Sequence, residues 1–353
     1  MKILFYQLDS KYERLEAWKQ GKYFGHPLFG ATHFPKYGID VVMSRNPYDG
    51  FYKKLKKIIK LDLRMVCHSL GMLFTARKYD AVYGPYPKGL GLLMFFRSIG
   101  LFNKPIVIFS HQGIPNPKGG LKKFLVKQAY KGTDKVLFFS QLHFDEARQT
   151  GICAPSKLFK INWGPDLEFY DRSVAAMPPA KTDFFISTGK AKRDYDTLVS
   201  AFAKTDVPLL LYVDTHELES TYAGKAPNVN VTYLPVTPTS PSILINSLND
   251  AIALSICTKK AKGLIGITNM YEAMALNKPV IITKNPAIDI DVDKEGIGIS
   301  IDLDDVEGWK RSIEYLYNNP EIAAEMGRKG RELCEKKLNL DIFSGEVVEI
   351  LKK

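Results

Sequence analysis

Several common signals are missing from this chain of 353 residues, and each absence excludes a class of protein. The cysteines lack CxxC spacing, which argues against a zinc site or a disulfide framework and favours a reducing compartment. The longest apolar run, residues 89–102, contains Arg97 and is too short to span a bilayer. The first residues lead directly into a predicted strand, so we expect no signal peptide. The four cysteines are Cys67, Cys153, Cys257 and Cys334.

The usual nucleotide-binding fingerprints are also missing. Gly89 and Gly91 lack the third glycine of a dinucleotide-binding loop, because Met94 stands in its place. No Walker A loop occurs either. These absences argue against a nicotinamide enzyme and against a P-loop ATPase.

The sequence does not predict a metal centre. Asp289, Asp291 and Asp293 have the spacing of a calcium loop, but Lys294 replaces its sixth-position glycine and Ser300 its twelfth-position glutamate. The six histidines form no ligand pattern. We therefore expect neither a metal ion nor an organic cofactor.

The positive charge is concentrated in the first half of the chain. The net charge is +11, and residues 1–170 hold 27 Lys and Arg against 12 Asp and Glu. Such a basic half is typical of a surface that meets an anionic partner. Anionic lipid headgroups are the partner we expect, although two solvated helix faces explain the pattern as well. No recognised module predicts nucleic-acid binding. The charges fall in two helical stripes, namely Lys53, Lys57, Lys60 and Arg64, and then Lys123, Lys127 and Lys131.

Strand and helix patterns alternate twice along the chain, which predicts an α/β protein with two parallel, doubly wound sheets. The first six strands are predicted at 3–7, 40–43, 80–83, 105–110, 135–140 and 158–162. The second six are predicted at 183–187, 209–213, 230–234, 251–256, 280–283 and 298–301. The clearest helices are predicted at 51–77, 89–99, 121–130, 142–150, 306–318, 321–336 and 340–351.

One stretch combines a loop, a helix and a buried strand. Asn269 followed three residues later by Glu272 has the spacing of a capping box, and Pro279 opens the β-branched strand that ends at Thr283. A helix that begins beside the end of a parallel strand offers free N–H groups to a phosphate. Glu272 could then accept hydrogen bonds from ribose hydroxyls, or it could only cap its own helix.

The run from Glu272 to Ile281, Glu-Ala-Met-Ala-x-x-Lys-Pro-Val-Ile, resembles the nucleotide-sugar motif of the retaining family-4 glycosyltransferases, which have the GT-B fold. The resemblance implies that Glu272 holds the ribose of the donor. It also implies that backbone N–H groups of Thr268, Asn269, Met270 and Tyr271 bind the diphosphate. One departure concerns the glutamate that the family usually has eight residues upstream, where this chain has Leu264. That glutamate touches the donor sugar, so the identity of the sugar stays open.

A second loop carries cations after a predicted strand. Gly189 permits a close backbone turn, and Lys190 and Arg193 resemble the Arg and Lys of the family's phosphate loop. Fixed cations stabilise the charge that develops on a departing diphosphate. The alternative interpretation is a solvated basic turn.

Two further candidates lie in the first half. His111 ends a predicted strand, and the resemblance places a histidine there beside the donor sugar, although a polar turn residue is an equal interpretation. Gly30 corresponds to the family's glycine-containing loop over the diphosphate, and a plain turn explains it equally well. The segment from Asn162 to Asp166 resembles a turn between domains.

The resemblance implies two Rossmann-like domains with a ligand cleft between them. We expect an acceptor-binding domain at residues 1–170, a linker at 171–181, a nucleotide-sugar domain at 182–336, and a helix at 337–353 that returns to the first domain. The linker is predicted from its two prolines and its weak periodicity. The implied activity is metal-independent transfer, with retention, of a sugar from a nucleoside diphosphate to a hydroxyl of a lipid-linked or cell-surface polysaccharide acceptor.

A UDP-sugar is favoured over a GDP-sugar as the donor. We expect a cytoplasmic protein, with the inner membrane face as an alternative location. Two other functions stay open, namely a non-catalytic scaffold subunit with the same fold, which Leu264 would permit, and a nucleotide-sugar epimerase.

Overall fold

The computed structural model describes residues 1–9, 11–44, 54, 63–175, 177, 183–190, 192–235 and 240–353. Contacts between residues divide the chain into two compact units. The first unit contains Met1–Glu16, Pro27–Trp163 and Asp341–Lys353. The second contains Ala17–His26 and Gly164–Leu340.

The first unit is built on a six-stranded parallel sheet with the order β2-β1-β3-β4-β5-β6. Its strands are apolar and mostly buried, as expected where helices cover both faces of a parallel sheet. The order reverses between β1 and β3, which are neighbours in the sheet although β2 separates them in the chain. The strands are β1 (Lys2–Phe5), β2 (Asp40–Met43), β3 (Ala81–Gly84), β4 (Ile106–Phe109), β5 (Lys135–Phe138) and β6 (Leu158–Lys160).

The second unit repeats this plan with the order β12-β11-β10-β7-β8-β9. Here the order reverses between β7 and β10, which pair in parallel. Ligands of open parallel sheets bind beyond the carboxyl ends of the strands at such a reversal point. The strands are β7 (Phe185–Thr188), β8 (Leu209–Val213), β9 (Val229–Tyr233), β10 (Leu254–Ile256), β11 (Val280–Thr283) and β12 (Gly298–Ile301).

The helices follow the predicted alternation. Those before residue 180 are α1 (Tyr12–Lys19), α2 (Arg64–Phe74), α3 (Gly91–Ser98), α4 (Gly120–Lys131), α5 (Gln141–Thr150) and α6 (Leu167–Val174). Those after it are α7 (Tyr195–Phe202), α8 (His216–Tyr222), α9 (Ser240–Asp250), α10 (Ile267–Ala275), α11 (Val306–Asn318), α12 (Pro320–Lys336) and α13 (Leu340–Lys352). The twelve predicted strands and the two predicted parallel sheets are thus confirmed.

Each unit has its own apolar core. In the first unit the core surrounds β3, β4 and β5, and the inner faces of α3 and α4 pack into it. In the second unit the core surrounds β7 and β8 and includes Trp309 of α11, the largest fully buried side chain of the described residues. The two cores fix the sheet edges on which the candidate residues lie.

The last helix belongs to the first unit, as predicted. Lys36 Nζ pairs with Asp341 Oδ1 at 3.4 Å, and the Tyr37 hydroxyl donates to the Asp341 carbonyl oxygen at 3.1 Å. Phe343 packs its ring against Phe109 at the end of β4, with 5.8 Å between ring centroids. Residues near both ends of the chain therefore form part of the same unit.

Two expectations need correction or restriction. Asp171–Val174 was predicted to be linker but is the second half of α6, because Asp166 caps that helix and Phe169 and Tyr170 bury one of its faces. The first part of the helix predicted at 51–77 lies outside the described residues except for Lys54, and so do Lys53, Lys57 and Lys60 of its cationic stripe. Arg64, the last member of that stripe, is only 8% exposed and pairs with Asp9, so it does not belong to an exposed cationic face. The rest of that prediction is confirmed over α2, which ends at Phe74, and a separate 3-10 turn follows at Ala76–Lys78.

Among the residues that the structure describes, no helix is both long enough and apolar enough to cross a membrane.

Candidate nucleotide site in the second unit

The reversal point of the second sheet brings two predicted segments together. β7 leads into Gly189, Lys190 and Arg193, while the loop after β10 leads into α10. Because β7 and β10 are paired neighbours, their carboxyl ends lie side by side. A backbone bridge between Arg193 and Thr258, which follows β10, joins the two segments again.

Arg193 is at the centre of this site. Its Nη2 donates to Asn269 Oδ1, and Asn269 Nδ2 in turn donates to Glu272 Oε2 at 3.0 Å. The other two guanidinium nitrogens, Nε and Nη1, are buried and form no hydrogen bond of good geometry with the described residues, although the nearby Tyr195 hydroxyl interacts favourably with the guanidinium. Burial lowers the pKa of Arg193, yet a guanidinium remains a cation in proteins. The site therefore holds a positive charge whose N–H groups are incompletely satisfied.

Gly189 makes room for that guanidinium. Its φ is +144°, which L side chains rarely adopt, and a Cβ built there would lie 1.9 Å from Arg193 Nε. The Tyr195 hydroxyl donates to the Gly189 carbonyl oxygen at 2.9 Å and so fixes the turn. Lys190, the other predicted cation, is exposed beside this turn.

The helix α10 begins earlier than the capping-box interpretation placed it. Ile267 is the first helical residue and Gly266 is the N-cap, with φ at +92°, so Asn269 lies inside the first turn. Asn269 uses its side chain to bridge Arg193 and Glu272, and it does not cap the helix. The prediction was wrong because Gly266 can adopt the left-handed conformation that ends the loop three residues sooner.

The early start of α10 changes which N–H groups are free to bind a ligand. The N–H of Met270 donates to the Gly266 carbonyl oxygen at 3.0 Å, and the helical pattern pairs the N–H of Tyr271 with Ile267. The groups that an α-helix leaves unpaired at this end are those of Gly266, Ile267, Thr268 and Asn269. Met270 and Tyr271 are instead buried in the core.

Glu272 has an unusual electrostatic environment. Burial raises its pKa to about 7, and the hydrogen bond from Asn269 and the charges of Arg193 and Lys190 oppose that rise. A carboxyl group whose pKa is near neutrality is typical of functional sites. Glu272 is the sixth residue of α10, so it does not form the predicted cap of its own helix. The predicted ribose contact stays a prediction.

Sequence analysis missed three residues that support this site. They are Gly266, the Tyr195 hydroxyl, and Asn285, whose Nδ2 donates to the Gly263 carbonyl oxygen at 3.0 Å. A second glycine three residues after Gly263 was the available signal for the helix start. The other two could not be found from local sequence, because their partners lie 6 and 22 residues away.

The candidates of the first half, His111 and Gly30, belong to the first unit. The His111 Nε2 N–H donates to the Pro85 carbonyl oxygen at 2.9 Å, and its ring stacks on Tyr86 with 4.4 Å between centroids. Burial lowers the pKa of His111 to about 4, so the imidazole is neutral at pH 7. With Nε2 engaged, Nδ1 is the ring atom that can accept a hydrogen bond.

Gly30 is buried, with φ at +85°. A Cβ at this position would lie 2.5 Å from the Phe34 ring and 3.1 Å from Ser344 Oγ. Close packing within the first unit is thus sufficient to require glycine here.

The predicted turn from Asn162 to Asp166 has a structural role. Asp166 is 3% exposed, and its carboxylate accepts hydrogen bonds from the N–H groups of Gly25 at 2.7 Å and Phe169 at 3.2 Å. A Cβ on Gly164 would lie 2.1 Å from the carbonyl group of Leu338. These contacts hold three distant segments of the second unit together.

The aspartates at 289–293 include two that accept hydrogen bonds from nearby residues of the same segment. Asp293 accepts hydrogen bonds from the Ser300 N–H at 3.1 Å and from the Ser300 hydroxyl. Within the described residues, no group of three His, Cys, Asp or Glu side chains is arranged to hold a metal ion.

Comparison with known proteins gives matches only at the level of structure. No protein-family model and no curated protein sequence matches the chain. Anabaena HepE in complex with UDP-glucose is similar over 100% of this chain and 99% of its own, with a TM-score of 0.67 and 15% identity.

Two other solved structures match to a similar degree. A glycosyltransferase from Rickettsia africae covers 99% of this chain and 97% of its own, with a TM-score of 0.67 and 15% identity. Sucrose-phosphate synthase from Thermosynechococcus elongatus covers 99% and 98%, with a TM-score of 0.66 and 15% identity. With its two six-stranded parallel sheets and full-length similarity to these structures, the chain has the GT-B fold.

Proposed function

We propose that this protein is a metal-independent glycosyltransferase whose second unit binds a nucleoside-diphosphate sugar, with a UDP-sugar favoured over a GDP-sugar. The single observation that carries the proposal is the buried guanidinium of Arg193, which has two nitrogens that form no hydrogen bond of good geometry with the described residues. It lies on one side of Asn269, with Glu272 on the other. A cation beside a helix N-terminus fits a diphosphate, and the adjacent carboxylate fits the two hydroxyls of a ribose.

The choice of nucleotide is supported by what the similar structures contain. HepE was solved with UDP, with UDP and glucose, and with UDP-glucose. These ligands belong to HepE, and their relevance to this chain is part of our proposal.

In the proposed reaction, the bond between the sugar and the diphosphate breaks while the acceptor hydroxyl attacks the anomeric carbon. Arg193, Lys190 and the free N–H groups at the start of α10 stabilise the charge on the departing diphosphate. A departing phosphate oxygen takes the acceptor's proton, so retention needs no dedicated side-chain base. The imidazole of His111 is neutral at pH 7, and this scheme does not need it to donate a proton.

We propose a lipid-linked or cell-surface polysaccharide hydroxyl as the acceptor, and a cytoplasmic protein that works at the inner membrane face. The support for this is the charge of residues 1–170, which favours an anionic surface.

The second candidate is a non-catalytic subunit that binds the nucleotide without turnover. It is favoured by Leu264, an apolar residue where the resembled family usually has a carboxylate. Release of UDP from UDP-glucose by the purified chain, in the presence of simple sugar or glycolipid acceptors, decides between the two. Nucleotide binding with no release under any acceptor condition would favour the non-catalytic subunit.

Replacing Glu272 with alanine is expected to weaken UDP binding about ten- to a hundredfold, because the loss of hydrogen bonds to a charged acceptor costs roughly 1.5–3 kcal/mol. Isothermal titration calorimetry with UDP, GDP and ADP measures this and also identifies the preferred base. Glu295→Ala is the matched control, since Glu295 is an exposed carboxylate of the same unit. No binding of any of the three nucleotides to the wild type would reject the proposed donor site, and unchanged binding by Glu272→Ala would remove Glu272 from it.

UDP affinity is also expected to rise between pH 6 and pH 8. The pKa of Glu272 is about 7, so the carboxylate that would accept ribose hydrogen bonds forms over this range. UDP itself ionises near the lower end of the range, and therefore Glu272→Gln is the necessary comparison. The variant should show a flatter pH profile than the wild type in the same titrations. Parallel profiles would mean that Glu272 does not contribute to the pH dependence.

The same pKa has a consequence for stability. The folded state holds a proton on Glu272 between pH 4.5 and about 7, where the unfolded state has already released it. The contribution of this group to folding is therefore fully present below pH 4.5 and is lost as the pH rises to 7.

A further inference from the structure

Helix α4 presents an apolar face to solvent. Leu121, Phe124 and Leu125 are 72%, 53% and 46% exposed. Successive helical residues turn by about 100°, so these three side chains share one sector of the helix. Tyr130 on the opposite side is 5% exposed and packs into the core of the first unit, together with Val126 and Ala129. The helix is therefore docked by one apolar face while a second apolar face stays uncovered.

Lysines border the uncovered face on both sides. Lys122 lies on one edge of the apolar sector and Lys127 on the other, and both are exposed. We call the set of Leu121, Phe124, Leu125, Lys122 and Lys127 the α4 ridge. The cationic stripe predicted from the sequence through Lys123, Lys127 and Lys131 thus forms one border of an apolar surface.

The surrounding sequence carries no negative charge. Residues 81–133 include eight Lys and Arg and no Asp or Glu. This stretch contains α3 and α4, which pack against each other, and β4, which contributes to the same core of the first unit. A partner of the ridge must therefore tolerate apolar side chains at its centre and supply negative charge at its edges.

We propose that the α4 ridge binds the surface of an anionic lipid bilayer. Phe124 and the two leucines enter the boundary between headgroups and acyl chains, while Lys122 and Lys127 reach up to the headgroup phosphates. Each lysine near such a surface contributes to binding, and the apolar side chains contribute through burial. The proposal does not rest on the nucleotide site, which belongs to the other unit.

Two other occupants fit the ridge less well. A second copy of the chain would bring the same lysines together across a two-fold axis, without a carboxylate from residues 81–133 to pair with them. A nucleic acid would place phosphates against the centre of the face, where Leu121, Phe124 and Leu125 stand, and would leave those side chains uncovered.

Vesicle co-sedimentation tests the proposal on the full chain without nucleotide. Two kinds of vesicle are compared. The first is pure phosphatidylcholine, and the second contains equal parts of phosphatidylcholine and anionic phosphatidylglycerol. The wild type should sediment with the second kind only. Lys122→Gln with Lys127→Gln should weaken this binding about thirtyfold, because both lysines near an anionic surface contribute to the affinity. Leu121→Ser with Phe124→Ser and Leu125→Ser should weaken it by at least as much, roughly in proportion to the apolar area lost.

The control is Tyr315→Ser with Tyr317→Ser on α11, which removes two apolar side chains that are 44% and 42% exposed in the second unit. It should bind vesicles as the wild type does, and all variants should bind UDP equally if the nucleotide proposal is right. The membrane proposal fails if the wild type ignores anionic vesicles or if the apolar triple variant binds them normally. If light scattering shows that the wild type is a dimer and that the triple variant is a monomer, the ridge is a dimer interface and the membrane proposal fails. It also fails if the ridge variants lose binding to RNA while their binding to vesicles is unchanged.

Discussion

Arg193→Ala is expected to weaken UDP binding about a hundredfold or more, the largest binding effect that we predict. Each hydrogen bond from a charged donor to a charged acceptor contributes roughly 1.5–3 kcal/mol. Nε and Nη1 of Arg193 can each donate one such bond to the diphosphate, and the loss of two bonds corresponds to about a hundredfold or more in affinity. The variant also removes the fixed charge opposite the diphosphate. Isothermal titration calorimetry with UDP measures the loss.

The controls for Arg193 separate charge from geometry and from damage to the fold. Lys192→Ala removes an exposed cation from the same loop and should leave UDP affinity unchanged. Arg193→Lys keeps the charge without the planar fork and should give an intermediate loss.

The thermal midpoint of the unliganded Arg193→Ala protein should fall little, because burying the unsatisfied nitrogens of Arg193 already costs stability. Wild-type UDP affinity in Arg193→Ala would show that the diphosphate, if bound, lies elsewhere.

Asp166→Ala is expected to lower the stability of the second unit by about 3 kcal/mol, the largest stability effect that we predict. The carboxylate is buried and accepts hydrogen bonds from the N–H groups of Gly25 and Phe169. The substitution removes the cap of α6 and leaves a buried N–H group without a partner, and each of these losses costs roughly 1–2 kcal/mol. Urea denaturation followed by circular dichroism measures the change.

Asp305 provides the matched comparison for Asp166. It caps α11 through one hydrogen bond from the Gly308 N–H at 2.8 Å. Asp305→Ala should therefore cost only about 1 kcal/mol. Equal losses in the two variants would show that the bond from Gly25 adds no stability.

Local sequence patterns were enough to find the strands and to name several of the residues that the structure brings together at the reversal point of the second sheet. Runs such as Val280–Thr283 form strands because β-branched residues suit a sheet that is buried on both faces. Gly189 and Arg193 were identified because a glycine turn and a cation follow a strand. Glu272 was identified through its motif.

Local patterns were least reliable at element boundaries. The capping box at Asn269 has correct spacing, yet Gly266 starts α10 earlier by taking a left-handed conformation. The prolines after Tyr170 suggested a linker, although α6 continues to Val174 because Asp166 and the buried face of Phe169 and Tyr170 hold it. In both cases a tertiary or backbone contact outweighed a weak local preference.

The sequence by itself determined that the chain alternates strands and helices in two parallel sheets, and that cations and a carboxylate follow particular strands. Only the tertiary structure decided that β7 and β10 are neighbours, and this places Arg193 against Asn269, which is 76 residues away in the chain. It also decided which face of α4 is covered and leaves Leu121, Phe124 and Leu125 in solvent. Strand order and helix docking depend on packing between distant segments, and no local pattern of residues encodes that packing.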